Sequence, residues 1–143
     1  MLNQSLFSSK RLDWETPYCF FKELDDEFHF TLDPCCVPET AKCAKYYTPK
    51  ENGLIQDWQG ERVFCNPPYG RQLVEWVIKC QKEGSKSGTL VVMLIPARTC
   101  TAYFHKYIYK TAQEIRFIRG RIRFVGAQWQ APFPSMLVIY KTI

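Results

Sequence analysis

The sequence has no apolar run able to cross a bilayer; the longest, near Leu90 to Ala97, falls far short of the roughly 20 residues that a span requires. Its start, "MLNQSLFSSKRLDW", lacks a charged-then-apolar leader, so a cytoplasmic, membrane-free protein is expected. No Cys-x-x-Cys pair occurs among the seven cysteines, at 19, 35, 36, 43, 65, 80 and 100. The odd count excludes a closed disulfide framework, and the spacing of Cys35, Cys36 and Cys43 fits no usual zinc pattern. Reduced, mostly buried thiols and no metal are therefore expected. Internal repeats, low-complexity stretches and interdomain linkers are also missing. A length of 143 residues leaves room for one ordinary domain with a real core, but not two; a loose arm is expected over 1–13 and the domain over 14–143.

What is present is a hydrophobic content of 46%, an aromatic content of 15% and a net charge of +5. This composition belongs to a globular chain, and the mild basicity is compatible with a polyanionic partner. In "WETPYCFFKELDDEFHF", Thr16 reads as an N-cap, Pro17 as the first helical residue, and Phe20, Phe21, Leu24 and Phe28 as an apolar stripe, predicting a helix over 17–28. "FTLDP", "AKYYT" and "RVFCN" read as short strands closed by proline or turn residues. "RQLVEWVIKCQKEG" reads as an amphipathic helix with apolar positions 73, 74, 77, 78 and 80, stopped by Gly84. "TLVVMLIPA" is a continuous β-branched run suited to a buried parallel strand. "CTAYFHKYIY" is a further helix candidate, while "EIRFIRGRIRF" and "SMLVIYK" alternate like antiparallel strands, with Gly120 as a bend. Strands alternating with helices before a strand-rich tail predict one α/β sheet. Ligands of such sheets lie beyond the carboxyl ends of the parallel strands, where Asp33, Asn66 and Pro96 are expected.

The most informative stretch is "VFCNPPYGR", in which Asn66, Pro67, Pro68 and Tyr69 follow a strand. An exocyclic amino group on a planar base is a poor nucleophile because its lone pair is delocalised into the ring. An asparagine side-chain oxygen and a proline carbonyl are two acceptors matching its two N–H donors. The prolines fix the backbone, so the carbonyl is aimed in advance. A tyrosine ring adds a stacking face, worth about 1–3 kcal/mol per base in nucleic-acid complexes. The tetrad reads as a clamp for an amino-bearing planar group.

From Trp14 to Tyr140 the chain resembles the small phage and prophage DNA N6-adenine methyltransferases. The matching pieces are "WETP", "FTLDPC", "AKC", "GLIQDW", "FCNPPYGR", "LIPART", "EIRFIRGRIRF" and "APFPSMLVIY". The resemblance implies a Rossmann-like S-adenosylmethionine-dependent methyltransferase sheet, mostly parallel with an antiparallel last strand, working on double-stranded DNA in a bacterial host's cytoplasm. It implies that Asn66, Pro67, Pro68 and Tyr69 receive the flipped adenine. It further implies that Thr16 and Pro17 line the methionine end of the cofactor, that Asp33 and Pro34 replace the first-strand motif, and that Asn52 accepts from the cofactor adenine. "DPCCVPET" lacks the usual glycine-rich loop, and Asn52 stands where relatives carry an aspartate. Glu39 and Glu51 are both candidates for the ribose acid.

DNA needs positive charge outside the pocket. Arg116, Arg119, Arg121 and Arg123 interleave with Phe117, Ile118, Ile122 and Phe124, and alternation would put the arginines on one face. Charged edge-strand protection is the competing reading of that stretch. Arg71 and Arg98 lie nearer the expected chemistry. Of the four tryptophans, Trp14, Trp58 and Trp76 are core candidates and Trp129 sits in a loop that could touch DNA. "NPPY" also occurs in methyltransferases acting on protein glutamine or RNA, whereas the ordered set of eight pieces is more specific. A catalytically degenerate nucleic-acid-binding relative is the other alternative, suggested by the missing glycine loop and opposed by the intact tetrad.

Overall fold

The computed structural model describes residues 14–142, so the arm expected over 1–13 lies outside the described residues. Six strands form one mixed sheet: β1 (Leu32–Asp33), β2 (Lys45–Tyr46), β3 (Arg62–Cys65), β4 (Leu90–Pro96), β5 (Glu114–Phe117) and β6 (Ser135–Lys141), in the order β2-β1-β3-β4-β6-β5. β1 to β4 are parallel, and β6, the last in the chain, is inserted antiparallel between β4 and β5. β5 therefore runs in the same direction as β4. All seven residues of β4 are buried, as its uninterrupted apolar sequence requires for a strand covered on both faces.

Two helices, α1 (Tyr18–Phe28) and α2 (Leu73–Gly84), cover opposite faces of the sheet. Consecutive residues of β3 show this: the Phe64 ring meets Phe21 of α1 edge-on at 5.1 Å, while the buried Cys65 thiol interacts with that of Cys80 in α2. α1 buries Phe21, Leu24 and Phe28 at the expected spacing. Its N-cap is Pro17, which has no side-chain capping bond. The Thr16 capping expectation is thus corrected, and its hydroxyl is used elsewhere. α2 buries Leu73, Trp76, Val77, Cys80 and Gly84, whereas Val74 and Ile78 are exposed. The apolar stripe is rotated from the expected one because the Trp76 ring packs beside Trp58. Gly84 ends the helix without a left-handed turn. A Cβ there would lie 2.3 Å from Tyr140 Cβ, so the glycine is required by helix–sheet contact.

The "CTAYFHKYIY" segment is helical over 102–108, as a short helix whose main part is the π-helical turn Phe104–Ile108. In "EIRFIRGRIRF" the ladder stops at Phe117, and Gly120 turns the chain at φ +73°. Phe117, expected to face inward, is 62% exposed. Beyond the turn, Ile122 and Phe124 are buried and Arg121 and Arg123 exposed, so the expected alternation survives there in irregular backbone. All seven cysteines are free, but only Cys65 and Cys80 are fully buried, fewer than expected. Among the described residues no helix is long and apolar enough to cross a membrane.

Candidate active site

The parallel arrangement of β1, β2 and β3 puts their carboxyl ends on one edge of the sheet. A cleft of about 640 Å³ opens there. Its walls include Thr16, Asp33, Pro34, Asn52, Asn66, Pro67 and Pro68, residues singled out in four separate stretches of sequence. Pro17 and Tyr69 do not line it, and neither do Glu39 and Glu51, which are exposed. Glu51 instead accepts from the backbone N–H and hydroxyl of Thr48, both at 2.8 Å.

Asn66 is held from three sides. Its Nδ2 donates to the Trp14 carbonyl and, at 2.9 Å, to the Thr16 hydroxyl, while its Oδ1 accepts from the Tyr69 hydroxyl at 2.9 Å. The Trp14 carbonyl can only accept, which fixes the amide orientation. One lone pair of Oδ1 is left for a further donor. Tyr69 differs from expectation. Its ring is 7% exposed and meets Phe133 edge-on at 5.7 Å, and its hydroxyl also reaches the Leu94 carbonyl at 3.2 Å. Burial pushes that phenol well above its ordinary range, so it stays a neutral donor. Tyr69 thus braces Asn66 from the core, and an open stacking face is not its place in this structure. Phe133 in turn packs on Trp14 at 5.1 Å, joining the tetrad to the "WETP" segment.

Asp33 is 4% exposed, and its carboxylate folds the loop that follows β1. Oδ1 accepts from Cys35 N at 3.3 Å and Oδ2 from Lys42 N at 3.0 Å. Burial pushes its pKa up to about 6, against the lowering effect of those two N–H donors. These contacts give the glycine-free loop its shape. The nearby Cys36 and Cys43 thiols are each pushed up to about 12, by burial first and then by the Asp33 charge. Among the described residues, no group of three or more His, Cys, Asp or Glu side chains is arranged to hold a metal ion.

Asn52 takes a left-handed φ of 58° and accepts from Leu54 N at 3.2 Å, capping the 3₁₀ turn Gly53–Ile55. Gly53 is indispensable to the wall, although the sequence alone does not single it out as a site residue. A Cβ on it would lie 2.1 Å from the Pro34 carbonyl oxygen. Its neighbours in the quoted "GLIQDW" are the available signal. Glu15 and Lys42 are likewise absent from the sequence-derived site, though both lie in quoted pieces. They line the cleft and form an ion pair of 3.2 Å.

The arginines separate into two groups. Arg116 makes a bidentate pair with Glu27 of α1 at 2.6 and 2.7 Å and another pair with Glu114 at 2.6 Å, so its charge is already matched. That is the bland outcome for one member of the expected DNA face. Arg71, Arg98, Arg119, Arg121 and Arg123 are exposed. Trp129 is also exposed, at 59%, in the same tail segment as the last three. That segment is anchored at its root by Phe124 against Trp14 at 5.4 Å, and by Val125 N donating to the Glu15 carbonyl at 3.0 Å.

Known proteins share this arrangement of sequence. A DNA N-6-adenine-methyltransferase of Haemophilus phage HP1 is 31% identical over 136 residues, covering 90% of this chain and 78% of the phage protein. The putative methyltransferase YfdM of Escherichia coli K12 is 41% identical over 64 residues, covering 39% of this chain and 69% of that protein. The model of the DNA N-6-adenine-methyltransferase (Dam) family matches residues 4–143, beginning ahead of Trp14, where the quoted motifs start. With that match over nearly the whole length, the chain belongs to the DNA N-6-adenine-methyltransferase (Dam) family.

Proposed function

We propose that this phage-type DNA adenine-N6 methyltransferase binds S-adenosylmethionine in the cleft at the carboxyl ends of β1 to β3, and that its sheet is the Rossmann-like methyltransferase sheet. The observation that carries this reading is the convergence of Thr16, Asp33, Pro34, Asn52 and Asn66–Pro68 on one wall. The cleft volume of about 640 Å³ lies within the roughly 300–1,000 Å³ usual for small-molecule sites. Its lining combines apolar Phe64, Leu54 and Trp76 with polar Thr16, Asn52 and Asn66, which suits a nucleoside joined to an amino acid. Asn52 would receive the adenine of the cofactor, and Thr16 its methionine end, with Pro17 behind it as the N-cap of α1.

The cofactor supplies an electrophilic methyl group. The chain's own residues position and polarise the acceptor. The free lone pair of Asn66 Oδ1 and the Pro67 carbonyl accept the two N–H donors of the target adenine, localising the nitrogen lone pair. Tyr69 and Thr16 hold the Asn66 amide while this occurs. Once methylated, the nitrogen is cationic and gives up a proton readily, so no side chain with a tuned pKa is required. Because N6 lies inside the duplex stack, the base is flipped out. The exposed arginines 71, 98, 119, 121 and 123 would hold phosphates, with Trp129 beside them. The site of action is the cytoplasm of a bacterial host, with 14–143 as the methyltransferase domain.

Calorimetry with purified protein tests the cofactor reading, and methylation-sensitive digestion of plasmid from expressing cells tests the substrate. Saturable binding and protection of adenine-containing sites are expected. No binding at millimolar cofactor, with or without DNA, overturns the proposal.

A further inference from the structure

We propose that Glu15 and Lys42 read the zwitterionic amino-acid end of the methyl donor, Lys42 taking the α-carboxylate and Glu15 the α-ammonium. This rests on the cofactor reading above and deepens it. The two side chains line the same cleft, and Lys42 Nζ lies 3.2 Å from Glu15 Oε2. Their side chains are 12% and 33% exposed, so the pair is shielded more than an ordinary surface bridge.

Each residue is fixed at its backbone by a different part of the site. Lys42 N donates to Asp33 Oδ2 at 3.0 Å, which ties it to the end of β1. The Glu15 carbonyl accepts from Val125 N at 3.0 Å, and the adjacent Thr16 hydroxyl accepts from Asn66. The pair therefore joins the loop after β1 to the segment that braces the catalytic amide.

Among the described residues three charged side chains line the cleft: Glu15, Asp33 and Lys42. Asp33 is the most buried of them and its carboxylate is engaged by two backbone N–H groups of its own loop, so Glu15 and Lys42 are the more accessible charges for a ligand. Opposite charges that satisfy each other in the free protein can open around a ligand bearing the same two charges without leaving either unpaired. An amino acid's carboxylate and ammonium are such a ligand. A neutral nucleoside is not, so the pair would select donors that carry the amino-acid tail.

The test is calorimetric and uses three probes: S-adenosylhomocysteine, its decarboxylated form, and 5′-methylthioadenosine, which lacks the amino-acid end. Lys42→Met should weaken S-adenosylhomocysteine roughly 10- to 100-fold, the effect of losing one charge-assisted hydrogen bond. It should change 5′-methylthioadenosine less than about threefold and erase the wild-type preference for the carboxylated form, whereas Lys42→Arg should keep much of that preference. Glu15→Gln should weaken S-adenosylhomocysteine selectively in the same way. Equal weakening of all three probes would mean that the pair only pins the cleft wall, and unchanged affinities would mean that it does neither; both outcomes overturn the inference. Failure of the wild type to bind any probe would instead defeat the cofactor reading beneath it.

Discussion

The Tyr69 hydroxyl donates to Asn66 Oδ1 at 2.9 Å from a phenol buried against Phe133. This bond makes the tetrad a braced unit: the tyrosine orients the amide, and the amide in turn holds Trp14 and Thr16. The order of Asn66 and Tyr69 in the motif follows from this. A three-residue step across two prolines carries the ring under the sheet edge and back to the asparagine.

Tyr69→Phe should therefore lose activity although the ring is kept. Releasing one hydrogen bond to Asn66 is worth roughly 1 kcal/mol, or about fivefold, in turnover. Cofactor affinity should change little, since Tyr69 does not line the cleft. Steady-state rates with calorimetry separate the two effects. Wild-type turnover in the phenylalanine variant would show that the hydroxyl bond to Asn66 is not needed and that Tyr69 acts through core packing alone.

The arginines should divide by function. Arg121→Ala with Arg123→Ala should lower the log–log salt slope of DNA binding by roughly 0.9 for each phosphate no longer neutralised. Arg116→Ala should leave the slope unchanged and cost on the order of 0.2–1 kcal/mol of stability, because its partners are Glu27 and Glu114. Fluorescence anisotropy across a salt series and urea melts read the two quantities. A lowered slope for Arg116→Ala alone would reverse the assignment.

Asp33 should leave a pH signature. Its folded pKa of about 6 lies above the ordinary 3.8, so between these values the folded state binds more protons than the unfolded state. Its contribution to stability is full well below the unfolded value of 3.8, is lost as pH rises through about 6, and levels off roughly a unit above that. The difference in unfolding free energy between wild type and Asp33→Asn should therefore shift by roughly 2 kcal/mol against the wild type from pH 4 to pH 7. Urea melts at several pH values measure it. A difference independent of pH would show that Asp33 titrates normally.

Local signals carried much of this molecule, and long-range contacts carried the rest. β4 was legible because every residue of "LVVMLIP" is buried, and α1 because Phe21, Leu24 and Phe28 share a face. The strand-end cleft followed from Asp33 and Asn66 closing parallel strands. What was not legible depended on partners distant in sequence. Thr16 looked like a cap but bonds Asn66, 50 residues away. Gly84 looked like a stop but makes room for Tyr140, and Arg116 looked like a DNA contact but pairs with Glu27. The ring of Tyr69 looked like an open platform, yet its place was decided by Phe133 and the Leu94 carbonyl.

The most direct test of the account is nucleoside mass spectrometry of duplex DNA incubated with S-adenosylmethionine and either wild type or Asn66→Ala. The wild type should produce N6-methyldeoxyadenosine, and the variant should fall by about 10²- to 10³-fold, the usual loss for one catalytic hydrogen-bond partner. Circular dichroism should show the variant folded. A folded Asn66→Ala protein that methylates adenine at the wild-type rate would contradict the claim that Asn66 holds the reacting amino group.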